Sequence, residues 1–304
     1  NGEVIMGALA WSGNFRLSFQ IEDKEYCQLT AGINPFASDY KLLPNEKFTT
    51  PRMIYTYSST GKNQGSINLH RWARKYNLQD GDEVRPIVLN SWEGAYFKFN
   101  AAKLKSMMDG AAQMGVEMFV LDDGWFGNKY PRNSDKAGLG DWQVNKKKLP
   151  KGISDLIDHA ESKGLKFGIW VEPEMVNPKS ELAENHPEWI IQRKNNRTQL
   201  LERSQLLLDL SNPKVQDFVF GVVDDVLTDN PRIAYVKWDA NRHIQNFGST
   251  YLDKDKQSHL WIDYTKGLES VLARLNTKYP DVIFQACASG GGRVDYGALK
   301  YTHE

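Results

Sequence analysis

From residue 87 onward, short apolar segments alternate with amphipathic segments, and this alternation restricts the possible folds more than any other feature of the chain. Strands are predicted where the apolar segments lie, and helices where apolar residues recur three and four positions apart. The predicted strands are 87–90, 116–123, 165–172, 206–210, 234–239 and 282–287; the predicted helices cover about 101–114, 152–163, 179–185, 213–228 and 257–278. Such an alternation predicts a parallel sheet buried on both faces, because the crossover helices cover it.

A doubly wound sheet and a (β/α)₈ TIM barrel both satisfy this α/β pattern. Polar and aromatic residues end the predicted strands, and a barrel collects all strand ends at one mouth, whereas a doubly wound sheet uses mainly those at its switch point. We therefore favour the barrel. A complete one takes roughly 250 residues, and we expect an incomplete barrel with about six strands, truncated before strands 7 and 8. The strand-end residues are Asn90, Trp92, Asp122, Asp123, Glu172, Asp209, Asp239 and Cys287.

The first 84 residues have a different pattern. Segments 7–23 and 48–59 alternate apolar and polar residues as half-buried strands do, and 70–76 is a short basic helical stretch. The polar segment 79–86 is the candidate boundary. We therefore expect 1–84 to end an N-terminal β-domain with its linker, and 85–304 to form the barrel. The chain starts with Asn1 rather than methionine, and we expect a fragment of a longer protein.

Charge and composition exclude several classes of partner. The 38 basic residues balance the 38 acidic ones, so nothing attracts the chain to nucleic acid or to an anionic membrane. No apolar run approaches the ~20 residues of a membrane helix. The two cysteines, Cys27 and Cys287, do not form a disulfide framework and suit a reducing compartment. We expect a cytoplasmic protein.

The segment YVKWDANRH (235–243) is the strongest local indication of chemistry. Side chains of a strand alternate between faces, so Lys237 and Asp239 point one way and Trp238 the other. In a barrel this directs Lys237 and Asp239 to the mouth. The nearby ammonium group favours the ionised form of the carboxylate, which a carboxylate nucleophile requires. The alternative is a buried ion pair at a strand end.

Two further strand ends carry groups suited to a sugar. In VLDDGWFG (120–127), Asp122 and Asp123 are candidates to bind hydroxyl groups, although Asp-Gly is also an ordinary turn. In FGIWVEPEM (167–175), Trp170 and Glu172 share a face with Gly168, which leaves space beside them. An aromatic ring suits the C–H face of a pyranose. A core tryptophan with a helix-capping glutamate is the alternative.

The segment ACASGGGRVD (286–295) is a glycine-rich turn after the last strand. It does not match a Walker loop or G-x-G-x-x-G, because the three glycines are contiguous and no Gly-Lys-Ser/Thr follows. Glycines here let the backbone approach a ligand closely. The six histidines lack paired ligand spacing, and no G-x-S-x-G occurs, so we expect neither a metal nor another cofactor.

Together with NSWEGAYFKFN (90–100), GLGDW (138–142), HPEW (186–189) and LLLDLSNP (206–213), these segments resemble the α-galactosidases of glycoside hydrolase family 36. The resemblance implies that 1–84 closes a β-sandwich domain and that Asp239 is the nucleophile. It implies an aspartate acid/base just beyond Glu304. QAC before the glycine-rich turn departs from the family's usual acidic or amide-bearing run. The implied substrate-binding residues are Trp92, Asp122, Asp123, Trp170, Arg203, Lys237, Asn241, Cys287, Ser289 and Gly290.

The function that the resemblance implies is hydrolysis of terminal α-linked galactose from oligosaccharides such as raffinose and melibiose. The mechanism would be a retaining double displacement without a cofactor. The resemblance also implies a homo-oligomer, since family members form tetramers. Three alternatives remain at this point: a galactosyl transferase similar to raffinose synthases, a galactose-binding fragment without turnover, and a nucleotide enzyme of the Rossmann type, which the missing phosphate loop disfavours.

Overall fold

Antiparallel strands and one helix form the amino-terminal part of the chain. A computed structural model describes residues 2–23, 26–193 and 197–304. The elements of this part are β1 (Val4–Leu9), β2 (Phe15–Glu22), β3 (Tyr26–Ile33), β4 (Met53–Ser58) and α1 (Lys62–Tyr76). β1 pairs with β4 and β2 pairs with β3, both antiparallel. The single strand predicted over 7–23 is two strands, because the chain bends at Ser12 and Gly13.

Strands and helices alternate in the rest of the chain as predicted. Their bounds are β5 (Val88–Asn90), α2 (Trp92–Ala95), α3 (Ala101–Gln113), β6 (Met118–Leu121), α4 (Ser154–Ser162), β7 (Lys166–Val171), β8 (Met175–Val176), α5 (Glu181–Asn185), β9 (Leu206–Leu207), α6 (Pro213–Asp229), β10 (Ile233–Trp238), α7 (Leu260–Lys278) and β11 (Ile283–Ala286). Short 3₁₀ helices occupy Pro187–Trp189, Lys254–His259 and Leu299–Tyr301.

Five of the six predicted strands form one parallel sheet in the order β5, β6, β7, β10, β11. This curled sheet is an incomplete TIM barrel, which confirms the predicted fold class. The prediction for 206–210 was wrong, because β9 pairs antiparallel with the short β8 outside the parallel sheet. No strand lies between β7 and β10, its neighbours in the sequence, because these two pair directly, with Trp170 opposite Lys237. Asp239 therefore follows the fourth parallel strand.

The two faces of the sheet bury different clusters. Phe119, Leu121 and Ile169 belong to the main core with the helices and are completely buried, each contributing roughly 1.5–3 kcal/mol of hydrophobic stabilisation. On the inner face, Met118, Val120 and Tyr235 form a separate cluster. The inner face is therefore apolar at its base, and polar residues begin only toward the carboxyl ends of the strands.

Gly168 leaves room for Val120 and Tyr235 to pack together on the inner face. A Cβ atom at this position would lie 2.9 Å from Tyr235 Cβ and 3.0 Å from a methyl carbon of Val120. Real Cβ atoms do not approach other atoms this closely without a shift of the structure, so only glycine fits between strands β6 and β10. The space inferred from the sequence at Gly168 is thus filled by neighbouring side chains rather than by a ligand.

Local sequence sets the start of α6, the helix that precedes β10. Asn212 caps α6 by accepting a hydrogen bond from the backbone N–H of Lys214 at 3.0 Å, and Pro213 occupies the first helical position. Both residues are favoured there, because the cap satisfies a free N–H and proline has none to satisfy. The helix predicted over 213–228 is therefore confirmed almost to the residue.

Across 2–23, 26–193 and 197–304, no helix combines the length and the apolar composition that crossing a bilayer requires.

Candidate active site

Polar side chains collect at the carboxyl ends of the parallel strands. Asn90 ends β5, Asp122 follows β6, Glu172 follows β7 and Asp239 follows β10. Each is at least half-buried, and the three acidic residues are at most 6% exposed. The strand ends thus form one concentrated group of carboxylates, as the alternation of the sequence predicted.

Four groups from three strand ends surround the carboxylate of Asp239. Oδ2 accepts hydrogen bonds from Trp170 Nε1 at 3.1 Å and from Asn241 Nδ2 at 2.7 Å. Oδ1 accepts from the backbone N–H of Ala240 at 2.9 Å and of Ser289 at 3.3 Å. The carboxylate is therefore fixed in one orientation by donors on strands β7 and β10 and on the glycine-rich turn.

These donors keep Asp239 ionised. Burial acts to raise its pKa, but the hydrogen bonds from Asn241, Trp170 and the thiol of Cys287 outweigh burial, and the pKa lies below its ordinary value. The ammonium group of Lys237 contributes in the same direction and less than these hydrogen bonds. An ionised carboxylate at near-neutral pH is what a nucleophile requires.

Lys237 lies on the same face as Asp239, as the strand periodicity predicted, but its direct partner is Asp122. Lys237 Nζ is 2.8 Å from Asp122 Oδ2, and the same oxygen accepts from Asn90 Nδ2 at 2.6 Å. The side chain of Trp238 packs in the main core on the opposite face. The ion pair considered from the sequence, between Lys237 and Asp239, is therefore replaced by one between Lys237 and Asp122, which joins β10 to β6 and leaves the Asp239 carboxylate to neutral hydrogen-bond donors.

Asp123 is held by an arginine that the sequence did not single out. Arg132 Nε and Nη2 lie 2.9 Å from Oδ1 and 2.8 Å from Oδ2 of Asp123, and the arginine is 1% exposed. Arg132 Nη1 also donates to Asn177 Oδ1 at 3.0 Å. Because Arg132 sits in a long loop without periodicity, no local signal identified it. A sugar-binding role for Asp123 stays a prediction.

The two predicted aromatic residues differ in exposure. Trp170 is 2% exposed, and its ring lies parallel to Phe126 with 6.3 Å between centroids. Trp92 is partly exposed, with its ring edge-on to Tyr96 and Phe97 at 5.1 Å each. Trp170 therefore reaches Asp239 through its N–H group, and Trp92 is the more exposed of the two rings; that Trp92 contacts a sugar stays a prediction.

The glycine-rich turn folds back onto Asp239. Ser289 Oγ donates to Asn241 Oδ1 at 2.8 Å, in addition to the backbone contact of Ser289 with Asp239. Ser289 and Gly290 have positive φ angles of 51° and 96°. Burial and the nearby Asp239 carboxylate raise the pKa of Cys287 to about 11, so the thiol stays protonated. The turn thus contributes donors to the cluster around Asp239.

Two of the highlighted positions lie away from this cluster. Arg203 is exposed at a turn, with a φ of 50°, and its role in binding substrate stays a prediction. Asp209 is buried and bonded to serines, accepting from Ser211 N at 3.0 Å and from the hydroxyl of Ser249. Asp209 does not join the strand-end group, because its segment lies outside the parallel sheet.

Glu172 carries a buried carboxyl group that shares a neighbour, Asn241, with Asp239. Its oxygens accept hydrogen bonds from Asn241 N at 2.6 Å and from Gln205 Nε2 at 2.9 Å. Burial, together with the charge of Asp239, raises the pKa of Glu172 to about 8. Glu172 supports Asn241, which in turn contacts Asp239.

A cavity of about 520 Å³ adjoins the cluster. It shares Asn241 and Ser289 with the cluster and extends to Glu174, Arg293 and Trp261. Among the described residues, no group of three or more His, Cys, Asp and Glu side chains is arranged to hold a metal ion.

An incomplete β/α barrel with its carboxylates at the carboxyl ends of the strands has the active-site arrangement of barrel enzymes. Comparison with known proteins identifies the family of the chain. The Melibiase family model matches residues 47–304, and the model of the glycosyl hydrolase family 36 N-terminal domain matches residues 1–43. The chain belongs to glycoside hydrolase family 36.

Relatives with curated names are similar over nearly the whole chain. It is 40% identical to α-galactosidase AgaA of Geobacillus stearothermophilus, over 99% of this chain and 41% of that protein. It is 39% identical to α-galactosidase Mel36A of Lactobacillus acidophilus, over 99% of this chain and 41% of that protein. The chain thus spans about two fifths of the length of these relatives.

Solved structures give the same result for the fold. The α-galactosidase of Lactobacillus brevis superimposes with a TM-score of 0.95 at 38% identity, covering 99% of this chain and 40% of that one. A variant of AgaA in complex with stachyose gives 0.94 at 39% identity, covering 99% and 42%.

Proposed function

We propose that the protein, in its complete form, is a retaining α-galactosidase that hydrolyses terminal α-linked galactose from oligosaccharides. Family membership, the α-galactosidase names of its relatives and the sugar complexes of AgaA variants with stachyose and raffinose support this substrate class. The observation that carries the proposal is the carboxylate of Asp239, buried at a strand end and held ionised by directed donors.

In the proposed mechanism, Asp239 attacks the anomeric carbon of galactose. The C–O bond to the leaving group breaks as the bond to a carboxylate oxygen forms, giving a covalent galactosyl-enzyme. Water then attacks the same carbon and releases the carboxylate. Two inversions give net retention. The donors to Asp239 hold the attacking oxygen in place before substrate arrives, which lowers the entropic part of the barrier.

A second carboxyl must protonate the leaving oxygen and later activate water. Retaining pairs are about 5–5.5 Å apart. We expect this acid/base to be the aspartate that the family resemblance implies beyond Glu304.

Hydroxyl recognition is proposed for groups on the inner face. Lys237 and Asp122 form an ion pair that remains partly accessible on the Lys237 side, with 19% of that side chain exposed. A charged donor beside a charged acceptor suits a hydroxyl, which both donates and accepts. Asn241, Cys287, Ser289 and Gly290 line the side of the turn, and Trp92 offers an aromatic surface. Contacts of Arg203 and Asp123 with the sugar belong to the same proposal.

The nucleophile is tested by replacing Asp239 in the full-length protein. Asp239→Asn keeps the shape of the side chain and removes its charge, so hydrolysis of p-nitrophenyl α-galactoside should fall by at least about 10³-fold, as for other residues that form the reacting group. Asp217→Asn, an exposed change on α6, is the control and should be near wild type. A near-wild-type rate for Asp239→Asn would refute the assignment.

Azide rescue tests the stereochemistry independently. In Asp239→Gly, azide can occupy the emptied space, attack the anomeric carbon and displace nitrophenolate. The expected product is β-galactosyl azide, since one displacement inverts the α-configuration. An α-configured product would exclude Asp239 as the nucleophile.

Sugar analysis at high acceptor concentration separates hydrolysis from transfer. The tetrameric assembly and the cytoplasmic location stay predictions.

A further inference from the structure

A buried carboxylate that the proposed mechanism does not use connects the nucleophile strand to the glycine-rich turn. Glu174 is completely buried. Its Oε1 accepts from Trp238 Nε1 at 2.8 Å and from Arg293 Nη2 at 2.7 Å. Its Oε2 accepts from Tyr264 OH at 2.6 Å and from Arg293 Nη1 at 3.1 Å. All four donors converge on one side chain, and no hydrogen-bonding capacity of the carboxylate is left for a ligand.

The carboxylate and the guanidinium form a fixed pair. Burial acts to raise the pKa of Glu174, but Arg293, Tyr264 and Trp238 together hold it below the ordinary value. The arginine contributes two parallel N–H···O bonds, the arrangement that restricts orientation most strongly. A bidentate pair between a fully buried carboxylate and an arginine that is 18% exposed therefore restricts the position of both residues.

Two of the donors to Glu174 lie on chain segments that adjoin or contact Asp239. Trp238 immediately precedes Asp239, and Arg293 closes the turn whose Ser289 donates its backbone N–H to Asp239. Ser289 has a positive φ of 51°, a conformation that surrounding contacts must maintain in a non-glycine residue. Without Arg293, the turn would lose its only side-chain tie to Glu174 among the described contacts.

We propose that Glu174 and Arg293 are positioning residues that hold Ser289, and through it the Asp239 carboxylate, in the geometry required for attack. The proposal rests on the proposed galactosidase function. Neither residue touches the reacting atoms, so their effect is on kcat rather than on sugar affinity.

The cavity beside Arg293 makes a chemical rescue feasible. Arg293 lines the cavity of about 520 Å³, so a guanidinium ion can reach the space that Arg293→Ala opens. In the full-length protein, Arg293→Ala should lower kcat for p-nitrophenyl α-galactoside by about 10²-fold, the effect of a small misplacement of reacting groups. KM should change by less than about threefold, since the sugar contacts remain.

Millimolar guanidinium chloride should restore kcat of Arg293→Ala at least about tenfold, because a free guanidinium can form the same two bonds to Glu174. The control is Arg232→Ala, which removes an arginine paired with Asp158 at 2.6 Å on the surface. This variant should show neither the loss of kcat nor the rescue. Circular dichroism at the assay temperature verifies that each variant is folded.

If Arg293→Ala does not fold, Arg293→Lys and Glu174→Gln replace it. Each keeps most of the volume and weakens the bidentate pair, and a fall in kcat at constant KM is again expected. The positioning role is refuted if folded variants at Arg293 retain kcat within about threefold of Arg232→Ala. An inactive wild-type protein would instead refute the proposed function, so the two failures are distinguishable.

Discussion

The ion pair between Arg132 and Asp123 gives the most quantitative test of the site's architecture. The two side chains are 1% and 7% exposed, and three N–H···O contacts of 2.8–3.2 Å join them. Arg132→Met preserves much of the buried volume and removes the charge. Asp123 is then left as a buried carboxylate close to Asp122 and Asp239, both of which are acidic.

The expected loss follows from the charges and their burial. Two unit charges about 4 Å apart interact with about 4 kcal/mol at an effective dielectric constant of 20. Removing one partner of a buried pair costs roughly 3–5 kcal/mol, because the remaining charge is uncompensated. Arg132→Met should therefore lower the free energy of unfolding by about 3–5 kcal/mol at pH 7.

Equilibrium denaturation in urea measures this loss, followed by tryptophan fluorescence and by far-ultraviolet circular dichroism. The control is Arg74→Met, which removes the arginine of a surface pair with a single contact, 2.9 Å from Asp82, whose side chains are 59% and 76% exposed. The control should change stability by less than about 1 kcal/mol. The difference between the two variants isolates the effect of burial.

A double variant completes the cycle. Asp123→Asn combined with Arg132→Met removes both charges, so the double variant should be more stable than the sum of the single losses predicts, with a coupling of at least about 2 kcal/mol. If Arg132→Met costs no more than Arg74→Met, or if the two changes are additive, the carboxylate is not held by this arginine and the reasoning fails.

Three further predictions use other sites. The raised pKa of Glu172, about 8, means that the folded state binds more protons than the unfolded state between about pH 4.5 and 8. This contribution to stability is present at low pH and is lost as pH rises to 8. The free energy of unfolding of Glu172→Gln should therefore depend less on pH in this range than that of the wild type. Gly267→Ala places a Cβ atom 2.0 Å from the carbonyl oxygen of Leu210 and should lower the free energy of unfolding by about 1–3 kcal/mol. Gly221→Ala adds a Cβ atom with no neighbouring atom within 4 Å and should raise the free energy of unfolding by roughly 0.5–1 kcal/mol. Thermal unfolding of each variant measures the sign of the change. Because burial raises the pKa of Cys287 to about 11, iodoacetamide should label it at pH 8 about 100-fold more slowly than a cysteine thiol of ordinary pKa. Mass spectrometry measures the two labelling rates, and equal rates would contradict the protonated state of Cys287.

Local pattern was sufficient for most of the barrel. The alternation of apolar strands and amphipathic helices identified five strands of the parallel sheet and the helices between them, since both periodicities are properties of consecutive residues. It failed at 206–210, where an apolar run of strand-like composition pairs with β8 instead. A continuous apolar run indicates burial but not which neighbour covers it.

The sequence by itself determined which side chains share a face. Lys237 and Asp239 point inward and Trp238 outward because side chains of a strand alternate, whatever surrounds the strand. Only the tertiary structure decided the partners. Lys237 bonds to Asp122, which is 115 positions away, and Glu174 bonds to Arg293, which is 119 positions away. Such pairs depend on how the strands and loops are brought together, and no periodicity of the chain encodes contacts across that separation.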